Sequence, residues 1–170
     1  ESLYALLKKA DKLVLGGVIY NAYLCAKYGF KIKGVEEDDV ALAKKFVEFA
    51  QQYPGKVCEL PIICECDLFG ERIEGKYRIH DIRKLPRGTE LNWVMDVDPR
   101  SYEEPEIIEV FHSAETVFVN AVMGFVPHFN EGTIALDTII DQNPKAVKLY
   151  GGGDTMQELK RLLPGLYIMA

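Results

Sequence analysis

The sequence predicts an α/β protein: a three-layer α/β/α sandwich with a Rossmann-like, mostly parallel sheet. Three observations predict it. Short apolar runs alternate with amphipathic stretches along the chain, the pattern of repeated strand–helix units with right-handed crossovers. Two runs stop at glycines that open a helix, Lys12 to Leu15 before Gly16-Gly17 and Ala146 to Tyr150 before Gly151-Gly152-Gly153. A third, Thr116 to Val119, runs into the loop Asn120 to Asn130. Three loops are therefore expected on the carboxy edge of one sheet, where open α/β sheets bind their ligands.

Composition narrows the class. The 170 residues suit one domain with a sizeable core. Hydrophobic residues at 48% and charged residues at 27% describe a globular chain and exclude a disordered one. The net charge of -6 argues against nucleic acid or an anionic membrane as the main partner. A nucleotide stays open, because amides and a metal can hold its phosphates. No apolar stretch is long enough to span a bilayer, and no charged-then-apolar leader precedes the fold. The chain starts at Glu1, so residues 1–170 are expected to be a single domain excised from a longer protein. Four cysteines are too few and too clustered for a disulfide framework, so a reducing, cytoplasmic setting is expected.

The elements follow in order. Ser2 to Ala10 predicts a helix with Leu3, Leu6 and Leu7 on one face. Lys12 to Leu15 is a short strand. Val18 to Tyr28 is apolar nearly all round and predicts a buried helix closed by Gly29. Phe30 to Val35 reads as a connector. The acids Glu36 to Asp39 open a helix from Val40 to Gln52, as acids favour a helix N-terminus. After the turn at Tyr53-Pro54-Gly55, Lys56 to Cys66 reads as one strand run with Pro61 at an edge or bulge. Its Cys58, Cys64 and Cys66 share parity and hence one face, as buried small thiols rather than zinc ligands. Asp67 to Lys76 predicts a surface hairpin, Tyr77 to Ile82 a strand, Lys84 to Thr89 a turn, and Leu91 to Val97 a strand. His80, His112 and the pair Glu103-Glu104 read as surface groups. Ser101-x-x-Glu104 matches a capping box for a helix to His112. Gly132 to Gln142 is a helix ended by Asn143-Pro144. Leu166 to Ala170 reads as one more strand.

The most informative stretch is Lys148 to Thr155. A strand ends at three glycines, Asp154 and Thr155 follow, and Met156 to Leu163 reads as an amphipathic helix. Glycines let backbone amides approach an oxyanion, and a helix N-terminus adds partial positive charge. Asp154 can cap that helix or reach a phosphate-bound Mg²⁺, and the pattern alone leaves both open.

These segments, in this order, resemble the nucleotide-binding C-terminal lobe of phosphoglycerate kinase. Asp11 to Tyr20 is similar to that family's "DKLIIGGGMAY", Glu59 to Cys64 to its "LPVDVV", and Trp93 to Pro99 to "WMGLDIGP". Thr116 to Gly124 resembles "TVVWNGPMG", Glu131-Gly132-Thr133 the following "GT", and Gly151 to Thr155 the "GGGD(S/T)" motif. The resemblance implies MgADP or MgATP as cofactor and a separate N-terminal lobe of the same chain that holds 3-phosphoglycerate. It implies that Gly16 and Gly17 pass close to the adenine and that Asn120 meets the ribose and phosphates. Gly151, Gly152, Gly153 and the amides of Asp154 and Thr155 would face the β- and γ-phosphates, with Gly152 and Gly153 at the catalytic position. Asp154 would hold the Mg²⁺. Phosphoryl transfer needs positioning and charge neutralisation, and these residues offer both.

The departures pull the other way. The "WNGP" positions are Val119, Asn120, Ala121 and Val122, the carboxylate of "MGVFE" falls at Pro127, and the "DIGP" glycine is Asp98. The family's lysine-bearing "GGAK" loop is expected upstream of Glu1 and its next glycine-rich stretch downstream of Ala170, both outside these 170 residues. Two functions follow. One is the nucleotide lobe of an enzyme that moves a phosphoryl group between 1,3-bisphosphoglycerate and ADP, inactive as this piece alone. The other is a degenerate relative serving as a scaffold for protein partners.

Overall fold

The computed structural model describes residues 4, 7–8, 12–70, 73–113, 116–119, 131–143 and 147–150; for 116–119, 133 and 147–150 it describes the backbone alone. Tyr4, Leu7 and Lys8 are helical, as predicted. Strand β1 (Leu13–Val14) leads through Leu15 and Gly16 into helix α1 (Gly17–Tyr28). Gly29, at φ 70°, closes α1 by donating its N–H to Cys25 O, the left-handed cap that the sequence predicts. The helix is not buried all round, however. Tyr20 to Cys25 on its inner side carry the core, but Val18 and Ile19 in its first turn are 71% and 56% exposed.

The segment read as a connector contains a strand, β2 (Lys31–Ile32). Helix α2 (Glu37–Ala50) opens with Glu37, Asp38 and Asp39 in its first turn, as the macrodipole favours. The run from Lys56 to Cys66 is two strands, β3 (Val57–Cys58) and β4 (Ile62–Cys66), and they join different sheets. Pro61 has no N–H for a ladder, and the chain turns there. Cys58 therefore does not share a strand face with Cys64 and Cys66. The latter two pack with Tyr77, Ile79 and Met95 on one face, and all four cysteines are free thiols. No cluster of His, Cys, Asp and Glu suited to a metal occurs among the described residues.

Strand β5 (Tyr77–Asp81) ends in a 3₁₀ turn, Ile82–Lys84. The next apolar run is also split, into β6 (Glu90–Leu91) and β7 (Trp93–Val97). A second 3₁₀ turn, Pro99–Glu103, precedes α3 (Pro105–Ser113). The predicted capping box does not form. Glu104, just before Pro105, is extended, the conformation that a following proline favours, and it separates the turn at Ser101 from α3. Ser101 Oγ instead donates to Ile62 O at 3.0 Å and accepts from Ile62 N at 2.8 Å, tying the 3₁₀ turn to β4. β8 (Thr116–Val119), α4 (Glu131–Asp141) and β9 (Val147–Tyr150) fall where the sequence places them.

The α/β class holds, with parallel pairs β1–β3, β2–β6 and β8–β9. An antiparallel three-stranded sheet, β5-β4-β7, is added to it. One core links the layers: Leu24 of α1, Phe46 of α2, Leu60, Ile63 of β4, Phe111 of α3 and Ile140 of α4 all belong to it. Among the described residues no helix is long and apolar enough to cross a membrane.

Candidate nucleotide site

The Gly16-Gly17 turn is built for a close approach. Gly16 is extended, and Gly17 sits at φ 64°, which disfavours any side chain. Among the described residues no side chain caps α1. The start of α1 carries the partial positive charge of a helix N-terminus.

Beside this turn lies a groove of about 260 Å³, lined by Gly17, Val18 and Asn21 of α1, by Phe69, and by Val94 and Met95 of β7. The α1 side is fastened to the β7 side by Asn21 Nδ2, which donates to Val94 O at 3.0 Å. Phe69 is 53% exposed and meets Trp93 edge-on, their ring centroids 4.8 Å apart. Gly70 N donates to Met95 Sδ at 3.4 Å and so positions the thioether. Trp93 in turn packs on Gly34, at φ 88°, where an added Cβ would fall 2.5 Å from the indole. Asp96, 3% exposed, also lines the groove. One of its oxygens accepts from Val97 N at 2.8 Å, the other from Gly132 N at 3.1 Å in the first turn of α4. A buried carboxylate on a helix N-terminus is well placed by charge. Gly132 has no room for a side chain, since a Cβ there would lie 2.2 Å from Asp96 Oδ1 and 2.3 Å from Val97 O. Asp98, the acid in place of the family's glycine, is turned to its own 3₁₀ turn, accepting from Arg100 N at 3.0 Å and pairing with Arg100 Nε at 3.1 Å.

Of the residues singled out from sequence, Gly17 lines the groove, and Gly16, buried, directly precedes it. Asn120, Gly151, Gly152, Gly153, Asp154 and Thr155 lie outside the described residues, as do Ala121, Val122 and Pro127. The strands that lead to them are parallel neighbours, in a register that pairs Val119 with Tyr150. Asn21 and Phe69 are groove residues that the sequence reading passed over. A polar residue in the otherwise apolar Val18 to Leu24 run was the available signal for Asn21.

Two further polar clusters were also missed. Glu65, 5% exposed, sits between the two buried cysteines of β4. It accepts from Asn92 N at 2.6 Å and Arg78 Nε at 3.2 Å, and is bonded to His80 Nε2 at 2.7 Å. His80 is therefore a sheet-face partner and not a free surface group. Burial alone would raise the Glu65 carboxyl pKa, but these donors outweigh it and hold it below the usual range. Glu59, after β3, is held by Lys27 Nζ at 2.5 Å, the Tyr23 hydroxyl at 2.6 Å and the Tyr28 hydroxyl. Here too burial works against the charge, and Lys27 and the two phenols depress the pKa overall.

Comparison with known proteins bears on the whole chain. The family model described as phosphoglycerate kinase matches residues 1–164. The phosphoglycerate kinase of Limosilactobacillus reuteri subsp. reuteri (strain JCM 1112) is 31% identical over 163 residues, which cover 92% of this chain and 37% of that protein. A phosphoglycerate kinase of Thermus thermophilus is 33% identical over 164 residues, covering 93% of this chain and 40% of the relative. The structure of phosphoglycerate kinase from Coxiella burnetii superposes with a TM-score of 0.77 at 25% identity, over 99% of this chain and 43% of that one. The chain thus spans well under half the length of these relatives.

Proposed function

The chain belongs to the phosphoglycerate kinase family, and from that premise we propose that it is the family's nucleotide-binding C-terminal lobe and binds MgADP and MgATP. The observation that carries this is the uncapped Gly16-Gly17 turn opening on an apolar groove with an exposed aromatic wall. A purine ring is planar and apolar on its faces, and Phe69 and Met95 offer it matching surface. Gly16 and Gly17 pass close to the base. The carboxy ends of β8 and β9, side by side at Val119 and Tyr150, support a phosphate site shared by Asn120 and Gly151 to Thr155. In this reading the amides of Gly151, Gly152 and Gly153 take the phosphate oxygens, and Asp154 holds the Mg²⁺ that travels with the nucleotide.

The activity that follows is reversible phosphoryl transfer between 1,3-bisphosphoglycerate and ADP, a step of glycolysis in the cytoplasm. It needs an N-terminal lobe of the same protein to present 3-phosphoglycerate. The chain's own contribution is to bind the nucleotide, fix its base, and neutralise and align its phosphates. The family match lends no support to the scaffold alternative.

Calorimetric titration of MgADP into the 170-residue chain tests the proposal, with Asp154→Ala alongside. Saturable binding that weakens about tenfold or more in the variant is the expected result. No heat at millimolar nucleotide with the full-length protein overturns the reading.

A further inference from the structure

We propose that Asn21 reads the edge of the base and makes the groove selective for a 6-aminopurine over a 6-oxopurine. The inference rests on the nucleotide reading above and assigns it a specificity residue.

The argument starts from which groove groups still have hydrogen-bonding capacity. Asp96 is committed to the N–H groups of Val97 and Gly132. The Tyr20 hydroxyl, also on the lining, donates to Leu60 O at 2.8 Å. Met95 Sδ receives Gly70 N–H. The remaining lining is glycine, valine, isoleucine and Phe69, with no polar side-chain atom. Asn21 is different. It is half-buried on the α1 wall, and its one hydrogen bond among the described residues is from Nδ2 to Val94 O.

That bond fixes which end of the amide is the nitrogen. Val94 O can only accept, so the nitrogen must be the atom beside it, and the flip of the side chain is fixed. Nδ2 keeps a second N–H, and Oδ1 keeps its lone pairs. An asparagine amide with one donor and one acceptor free matches an adenine edge, accepting from the 6-amino group and donating to N7. Guanine and hypoxanthine carry a carbonyl oxygen at that position. Two acceptors would then face each other, and neither would have a proton to share. A site built to bond one pattern rejects the other more strongly than an apolar pocket can. Phe69 supplies a stacking face, which every purine shares, so selectivity falls to Asn21.

The test is a comparison of MgADP, MgIDP and the magnesium complex of 7-deaza-ADP on the wild-type chain, followed by Asn21→Leu. MgIDP is expected to bind about tenfold more weakly than MgADP, and the 7-deaza analogue about threefold more weakly. In Asn21→Leu the ADP to IDP ratio should fall toward one, with far-ultraviolet circular dichroism reporting that the fold is kept. If the variant does not fold, the wild-type series decides: either analogue matching MgADP overturns the proposal. A ratio that survives in a folded Asn21→Leu overturns it as well, and leaves the nucleotide reading standing. Failure of MgADP itself to bind removes both.

Discussion

The groove and the antiparallel sheet beside it treat their polar groups in opposite ways. Around Glu65 every charge has an answer: Asn92 N, Arg78 and His80 converge on one carboxylate, and Arg78 reaches on to Asp67 at 2.7 Å. Among the described residues at the groove, the first turn of α1 has no side-chain cap, Asn21 has spent one hydrogen bond, and Val18 stands in solvent. The sheet closes its polar groups on one another, whereas at the groove Asn21 keeps hydrogen-bonding capacity among the described residues. The difference teaches where stability and binding reside, since a closed network contributes to folding and open valences contribute to recognition. It can be broken at either end.

The largest effect is expected at the joint between the two regions. Gly132→Ala forces a Cβ against Asp96 and a backbone carbonyl, and should destabilise the chain by about 3 kcal/mol. Urea denaturation would read it, and a loss below about 1 kcal/mol would mean that α4 shifts freely from β7. Next comes Glu65→Gln, which removes the charge that three donors share and should cost about 2 kcal/mol at neutral pH. Its pH dependence carries the sign. A carboxyl whose folded pKa lies below its unfolded value of about 4.3 stabilises the fold above that value, and loses this as pH falls through the folded pKa. Wild-type stability should therefore decline on acidification through that window, and the variant should decline less. Parallel curves would show that Glu65 is not a source of the acid limb. The smallest stability effect is Gly17→Ala, about 1 kcal/mol for the left-handed backbone. It should nevertheless weaken MgADP binding more than Glu65→Gln does. The reverse ranking would erase the contrast between the regions.

Much of this was legible in the chain. The Gly29 cap, the acidic start of α2, the strands at β8 and β9 and the glycine turn at Gly16-Gly17 all follow from local backbone preferences, and they appear as read. What was not legible depends on partners distant in sequence. β2 is two residues long, and it is a strand because Lys31 and Ile32 meet Glu90 and Leu91. Lys56 to Cys66 looked continuous because periodicity does not say which sheet each half will join; Pro61 was the local hint. The Ser101 capping box failed through a neighbour, since Pro105 extends Glu104 and frees Ser101 for Ile62. Asn21 and Glu65 were hidden for one reason. A lone polar residue in an apolar run has no meaning until its cross-chain acceptor or donors are known. For the phosphate-site residues, the support is the pattern of the chain and the order of its segments.

The register of the strands also carries a history of assembly. Cys66 pairs with Tyr77 across a short hairpin, whereas Leu13 must find Val57 and Lys31 must find Glu90. Closing a short loop costs less chain entropy and takes microseconds, while parallel pairings over long separations come late. Among the described ladders the β4–β5 hairpin therefore has the smallest closure cost. The groove needs α1 on β7, and Asn21 and Val94 that join them are 73 residues apart in the chain. A chain caught before that contact would present a formed hairpin and no binding site, so ligand affinity would report a later event of folding than the first spectroscopic strand content.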